Sequence, residues 1–131
     1  MGGLAGMKKR FLAAALMALA GCATIAPEAP EAVVKDRAQE RWDALVRDDF
    51  HAAYAYLSPG SKQVIDEKNY VERLRKGFWK SAQVQSVKCA SDRSCEAQVS
   101  IEYEFQGRRT KTPLHESWIR EGSSWWYVLK S

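Results

Sequence analysis

The chain has 131 residues, 46% of them hydrophobic and 27% charged, which allows one modest domain and leaves no room for a second. That composition excludes a fibrous, collagenous or mostly disordered chain. The formal charge of +4 is unevenly placed, because Lys8, Lys9 and Arg10 precede an apolar run and no acidic residue comes before Glu28.

Met7-Lys-Lys-Arg10 forms a basic segment, followed by an apolar stretch from Phe11 to Ala20. Ten residues fall well short of the roughly 20 that a helix needs to cross a bilayer. They have the length and flanks of a secretory signal. Leu19-Ala20-Gly21-Cys22 resembles a bacterial lipobox. The resemblance implies cleavage before Cys22 and acylation of that residue with diacylglycerol and palmitate-like chains. Several acyl chains on one residue would anchor stably, where one chain binds a membrane only marginally. Ala23 follows the cysteine where Asp would favour the inner membrane, so similarity to enterobacterial sorting implies the periplasmic face of the outer membrane. Residues 1–21 are therefore expected to be a signal peptide. Residues 22–34 are expected to be the lipidated cysteine and a tether, with Pro27 and Pro30 interrupting helix. Beyond Gly21 the charge is 17 basic against 16 acidic residues. A nucleic-acid partner, which needs clustered positive charge, is not expected.

The domain proper is expected over residues 35–131. Ala38, Trp42, Leu45 and Val46 recur at helical spacing from Val34, with Lys35, Arg37, Glu40, Arg41 and Arg47 on other faces. Asp48-Asp49 offers a cap for a short second helix carrying Phe50, Ala53, Tyr54 and Leu57. Ser58-Pro59 reads as a cap followed by proline at the first helical position. Asn69 is expected to open a fourth helix that buries Tyr70 or Val71, Leu74 and Phe78. After Ser81 the period falls towards two. Gln83 to Cys89 is a first strand with imperfect alternation. In residues 95–105, Cys95, Ala97, Val99, Ile101, Tyr103 and Phe105 face one way, and Glu96, Gln98, Ser100, Glu102 and Glu104 the other. Gln106-Gly107 and Glu121-Gly122 read as tight turns bounding a third strand and a fourth, so helices precede a four-stranded antiparallel meander.

Cys89 and Cys95 bracket the junction of the first two strands. In an oxidising compartment they are expected to form a disulfide. The alternatives are weaker: no histidine lies nearby for a metal, and redox pairs space their cysteines by two residues. Extending the register through both turns places Glu116, Trp118, Trp125 and Tyr127 on the helix-covered face, with Tyr103 further along. A buried carboxylate needs partners or a raised pKa. These five residues therefore form either a packed core or a pocket for a small apolar ligand. Trp126, Ile119, His115 and Val128 fall on the opposite face, where they would present a patch for an envelope protein or a second copy. No catalytic set is recognisable, and no metal or cofactor is expected. His51 and His115 do not cluster with carboxylates, and Gly-rich phosphate loops and nucleophile elbows are absent from the sequence.

Arg41-Trp42-Asp-Ala-Leu45-Val46, followed by Asp49-Phe50-His-Ala-Ala-Tyr54-Ala-Tyr-Leu57-Ser-Pro59, resembles the opening of NTF2-like domains. The resemblance covers about residues 35–130. It implies an α+β, NTF2-like (cystatin-like) cone in which N-terminal helices pack on a curved antiparallel sheet. That fold hosts isomerases, dehydratases, transport adaptors and envelope-assembly proteins, so it implies no single activity. The chain resembles envelope lipoproteins carrying such a domain, which favours a membrane-anchored, non-enzymatic module binding a partner protein or a small apolar ligand. The alternative is a small enzyme using Glu116 as general acid or base.

Overall fold

Residues 28–130 are described by the computed structural model; residues 1–21, expected to be a signal peptide, Cys22 with its expected lipid anchor, and the adjoining residues through Pro27 lie outside the described residues. Helix α1 (Pro30–Val46) begins four residues before the apolar period becomes visible, so the tether expected through residue 34 is helical from Pro30. Proline here occupies the first turn, where its missing N–H has no helical partner to lose. Asp49 caps α2 (Phe50–Ala55), its Oδ1 accepting the Ala52 N–H at 3.2 Å. Ser58 caps α3 (Pro59–Val64) in the same way through the Ser61 N–H at 3.1 Å. Helix α4 (Glu67–Glu72) is capped by Asp66 and not by Asn69, whose own N–H donates to Asp66 Oδ1 at 2.8 Å. Leu74 and Phe78 therefore fall beyond its end, and only Tyr70 is buried on it. Gly77 serves the turn that follows. It sits at φ +71°, in the left-handed region that glycine tolerates, and donates its N–H to the Asp48 carboxylate at 2.9 Å.

Four antiparallel strands follow in the order β1 (Trp79–Ser91), β2 (Ser94–Phe105), β3 (Arg108–Glu121), β4 (Ser124–Val128). Irregular alternation in β1 has a mechanical cause. Register shifts leave Lys80 and Gln85 without partners on β2, and each such bulge reverses the parity of the strand. Trp79, Ala82, Val84, Val87 and Cys89 consequently all oppose the inward set Tyr103, Ile101, Val99, Ala97 and Cys95. The β2–β3 register runs from Phe105↔Arg108 to Cys95↔Trp118 around Gln106-Gly107, both at positive φ as a two-residue primed turn requires. The last turn is Gly122-Ser123, one residue later than the sequence pattern suggested, so Trp118 faces Tyr127 instead of Trp125. Each pairing thereby moves by two residues, which preserves parity. Trp125 and Tyr127 remain on the inner face.

The helical layer reaches both edges of the sheet. Gln39 donates to the Ala82 carbonyl and accepts the Val84 N–H, each at 2.9 Å, on the free side of β1. Two residues earlier, Arg37 Nε donates to the Trp125 carbonyl on β4 at 2.7 Å. The Tyr56–Ser58 segment completes that edge, accepting from the Tyr127 N–H and donating to its carbonyl at 2.8 Å each. One helix therefore reaches the two outermost strands, which places the sheet in a curve around α1. Covered edges of this kind remove templates for aggregation. Among the described residues the core extends from Val34 to Tyr127.

The Cys89–Cys95 disulfide is present, joining directly opposed residues of β1 and β2 six positions apart. Replacing both cysteines by Ala is expected to lower stability by about 2 kcal/mol, the loop-entropy value for so short a ring. Urea unfolding checks this, and an unchanged midpoint would show that the bridge contributes nothing.

Candidate functional site

The inward stripe of α1 is Val34, Ala38, Arg41, Trp42 and Leu45, all buried. Arg41 belongs to it by spacing, seven residues after Val34 and four before Leu45, although its charge suggests the outer face. It meets Glu116 on β3, which lies opposite Ala97. The small Ala97 side chain leaves space that α1 fills. Arg41 Nη1 donates to Glu116 Oε2 at 2.7 Å, and Trp42 Nε1 donates to Glu116 Oε1 at 2.9 Å. Both carboxylate oxygens are thus engaged, on a side chain only 2% exposed. The guanidinium carbon lies over Tyr127, 3.6 Å from its ring centre. Burial pulls the Arg41 pKa down more than any single neighbour raises it, but Glu116, Tyr127 and Tyr70 together leave the guanidinium above its ordinary value. Burial pushes the Tyr127 phenol up, against an opposing pull from Arg41.

The sequence register brought the right residues to this face but left their environment open. Glu116, Trp118, Trp125 and Tyr127 are a packed core, with Trp118 wholly buried and inclined on Tyr127 at 5.9 Å. None of them is among the residues lining the grooves described below, and Arg41 and Trp42 pack against Glu116 between helix and sheet. Tyr103 stands apart from them. It stacks on Phe78 at 5.2 Å and meets Trp79 edge-on, near the opposite end of the sheet.

The outer face also divides. Ile119 and Val128 are half-buried and line a groove of about 340 Å³ between α3 and β3–β4, together with Gly60, Val64 and Leu129. Val64, 83% exposed, forms its outer lip. A chain of hydroxyls fixes the floor: Ser58 Oγ donates to Ser61 Oγ at 2.8 Å, which accepts the Leu129 N–H at 3.0 Å. Trp126 does not join this apolar surface, because Arg37 and Lys62 lie over its ring at 5.3 and 5.4 Å. His115 is exposed and paired with Glu96 Oε1 at 3.0 Å, away from the groove. His51 pairs with Glu67 Oε1 at 2.7 Å on the surface. Among the described residues no three His, Cys, Asp or Glu side chains come together to hold a metal. Sequence reasoning missed two contributors, Arg41 and Val64. The spacing of α1 could have found Arg41, whereas nothing in the sequence separates Val64 from a core valine.

Helices packed on the concave face of a four-stranded antiparallel meander are shared with several solved structures. The fold is NTF2-like. An NTF2-like protein from Campylobacter jejuni matches at TM-score 0.51 and 17% identity, covering 72% of this chain and 96% of that one. An NTF2-like protein involved in plasmid conjugation matches at TM-score 0.50 and 14% identity, covering 73% of this chain and 36% of the other. A SEC-C motif-containing protein from Psychrobacter arcticus reaches TM-score 0.62 at 14% identity, covering 78% of this chain; the chain spans 62% of that protein's length. No protein-family model matches this chain, and no curated protein matches it. At these identities the likeness concerns fold alone.

Removing one partner of a buried ion pair strands the other. Glu116→Ala is therefore expected to cost about 3–5 kcal/mol, while the double change Arg41→Met with Glu116→Leu should recover most of that loss. Chemical denaturation of the three proteins checks this. Equal destabilisation by the single and double changes would contradict it.

Proposed function

We propose that this chain is a lipid-anchored, non-enzymatic module of the bacterial cell envelope, held through Cys22 and binding a partner polypeptide in the groove between α3 and β3–β4. The observation that carries the binding reading is the contrast between the two faces of the sheet. On the inner face both oxygens of Glu116 are engaged, so the enzymatic alternative has lost its free carboxylate. A small apolar ligand there would have to displace Arg41 and Trp42. On the outer side, Val64, Ile119 and Val128 offer apolar surface on a floor held by hydrogen bonds. An apolar centre with a polar rim is what a polypeptide partner recognises. The anchor reading rests on the lipobox-like Leu19-Ala20-Gly21-Cys22 after a basic, apolar leader. It favours the periplasmic face of the outer membrane, where a tethered domain meets other envelope proteins at high effective concentration.

Two measurements in a bacterial host test the proposal. An alkyne-tagged palmitate should label the wild-type chain and leave Cys22→Ser unlabelled; an unlabelled wild type would overturn the anchor. A photo-crosslinking residue at Ile119 should capture one discrete envelope protein, while the same residue at Lys88 on β1 should not. Capture of a second copy would redirect the reading to a homodimer. Identical patterns at both positions would overturn the groove.

A further inference from the structure

Charge in the folded domain is segregated towards one end. Residues 72–80 and 102–111 carry seven basic side chains against three acidic ones, whereas the rest of residues 28–130 carries ten basic against thirteen acidic. Neither segment is notable alone, and the fold joins them. Trp79 pairs with Tyr103, and the Glu104 N–H donates to the Phe78 carbonyl at 3.1 Å. The loop leaving α4 therefore lies beside the tip of the β2–β3 hairpin. Arg73, Arg75, Lys76, Arg108 and Arg109 are all exposed there. Among the described residues none of the five enters an ion pair, and the nearby Glu104 is engaged by Lys80 at 3.9 Å. Phe105, at the end of β2, is 52% exposed, and two surface grooves meet at it and at Phe78.

We propose that this end of the domain docks on an anionic phospholipid surface, with Phe105 entering the headgroup layer and the surrounding cations meeting lipid phosphates. An apolar apex ringed by arginine and lysine matches a bilayer surface, which presents phosphates over an apolar interior. Long basic side chains can keep their charge at the phosphates while their stems lie against the aromatic apex. A single-stranded nucleic acid would need open aromatic faces for its bases. Here Phe78 is stacked on Tyr103 at an interplanar angle of 18°, and Trp79 meets Trp42, Phe78 and Tyr103 edge-on. Among these rings only Phe105 is exposed, so successive bases would find no continuous stacking platform.

This contact goes beyond the proposed anchor and does not depend on it. The two are geometrically compatible. Helix α1 runs from Pro30 to the Asp48–Gly77 contact at the basic end, and its 17 residues span about 25 Å. The eight steps from Cys22 to Pro30 can extend to a similar reach of about 26–29 Å. One bilayer surface is thus within reach of both.

Flotation with vesicles tests the docking on the full chain carrying Cys22→Ser and, where its thermal unfolding matches that chain, on the fragment 28–131, which holds the core of the described residues and lacks Cys22. Each should bind vesicles of equal parts phosphatidylcholine and phosphatidylglycerol, fail to bind phosphatidylcholine alone, and release as salt rises. Arg108→Glu with Arg109→Glu should weaken binding about tenfold or more. Phe105→Ser should weaken it several-fold while leaving the salt dependence unchanged, and Lys88→Glu should leave binding intact. Matching thermal unfolding curves would show that the exposed substitutions spare the fold. The proposal is overturned by no binding to the anionic vesicles, by equal binding of the charge-reversed variant, or by binding to a single-stranded oligonucleotide in preference to vesicles. Because neither protein carries the Cys22 acyl site and the hairpin tip is remote from Ile119, these outcomes are independent of the labelling and crosslinking experiments.

Discussion

The arrangement depends on a charge placed where charge is least welcome. Glu116 enters the core from the middle of β3, and two donors from consecutive positions of α1 meet its two oxygens. Isolated burial of either ion would be severely unfavourable, and pairing approximately offsets that cost without adding much stability. Its larger effect is orientation. A guanidinium and an indole must reach opposite oxygens of one carboxylate, which determines the rotation of α1 against the sheet. In that rotation Arg37 points at the edge of β4 and Gln39 at the edge of β1, so the outermost strands are both reached by the same helix. Apolar contact alone would tolerate sliding or rotation of α1; directed hydrogen bonds tolerate neither. We therefore regard the Arg41–Glu116–Trp42 contact as the element that gives the helix–sheet interface a single geometry.

Local physics made much of this legible in the sequence. The strict alternation of residues 95–105, the Gln106-Gly107 turn, the Ser58-Pro59 helix start and the opposed cysteines all depend on near neighbours. Features set by distant contacts were harder to read. In β1, the bulges at Lys80 and Gln85 exist because β2 demands inward apolar partners, so the periodicity of β1 alone could not reveal its length. Asn69 resembled a helix cap, but Asp66 lies in extended conformation three residues earlier and takes the Asn69 N–H. The last turn was misplaced by one residue with no change of face, because the resulting shift in pairing was even. Arg41 was misread because charge was weighed above spacing. Its inward position becomes intelligible only when Glu116 is placed on the facing strand.

A filled interior moves recognition to the periphery. NTF2-like folds can leave the space between helix and sheet open; here Arg41, Trp42, Trp118 and Tyr127 occupy it. The accessible surfaces of the described residues include an apolar groove beside α3 and a basic, aromatic hairpin tip at the other end of the sheet. Their chemistries differ, and they suit different contacts: one a polypeptide, the other an anionic surface.

Hydrogen exchange of the Trp42 indole N–H, followed by NMR across a denaturant series below the unfolding transition, tests the filled interior most directly. Donated to Glu116 Oε1 within a packed core, that proton should exchange only through global unfolding, with a denaturant dependence matching the slowest backbone amides. Rapid exchange independent of denaturant would place water beside Glu116 in the native state and contradict the account.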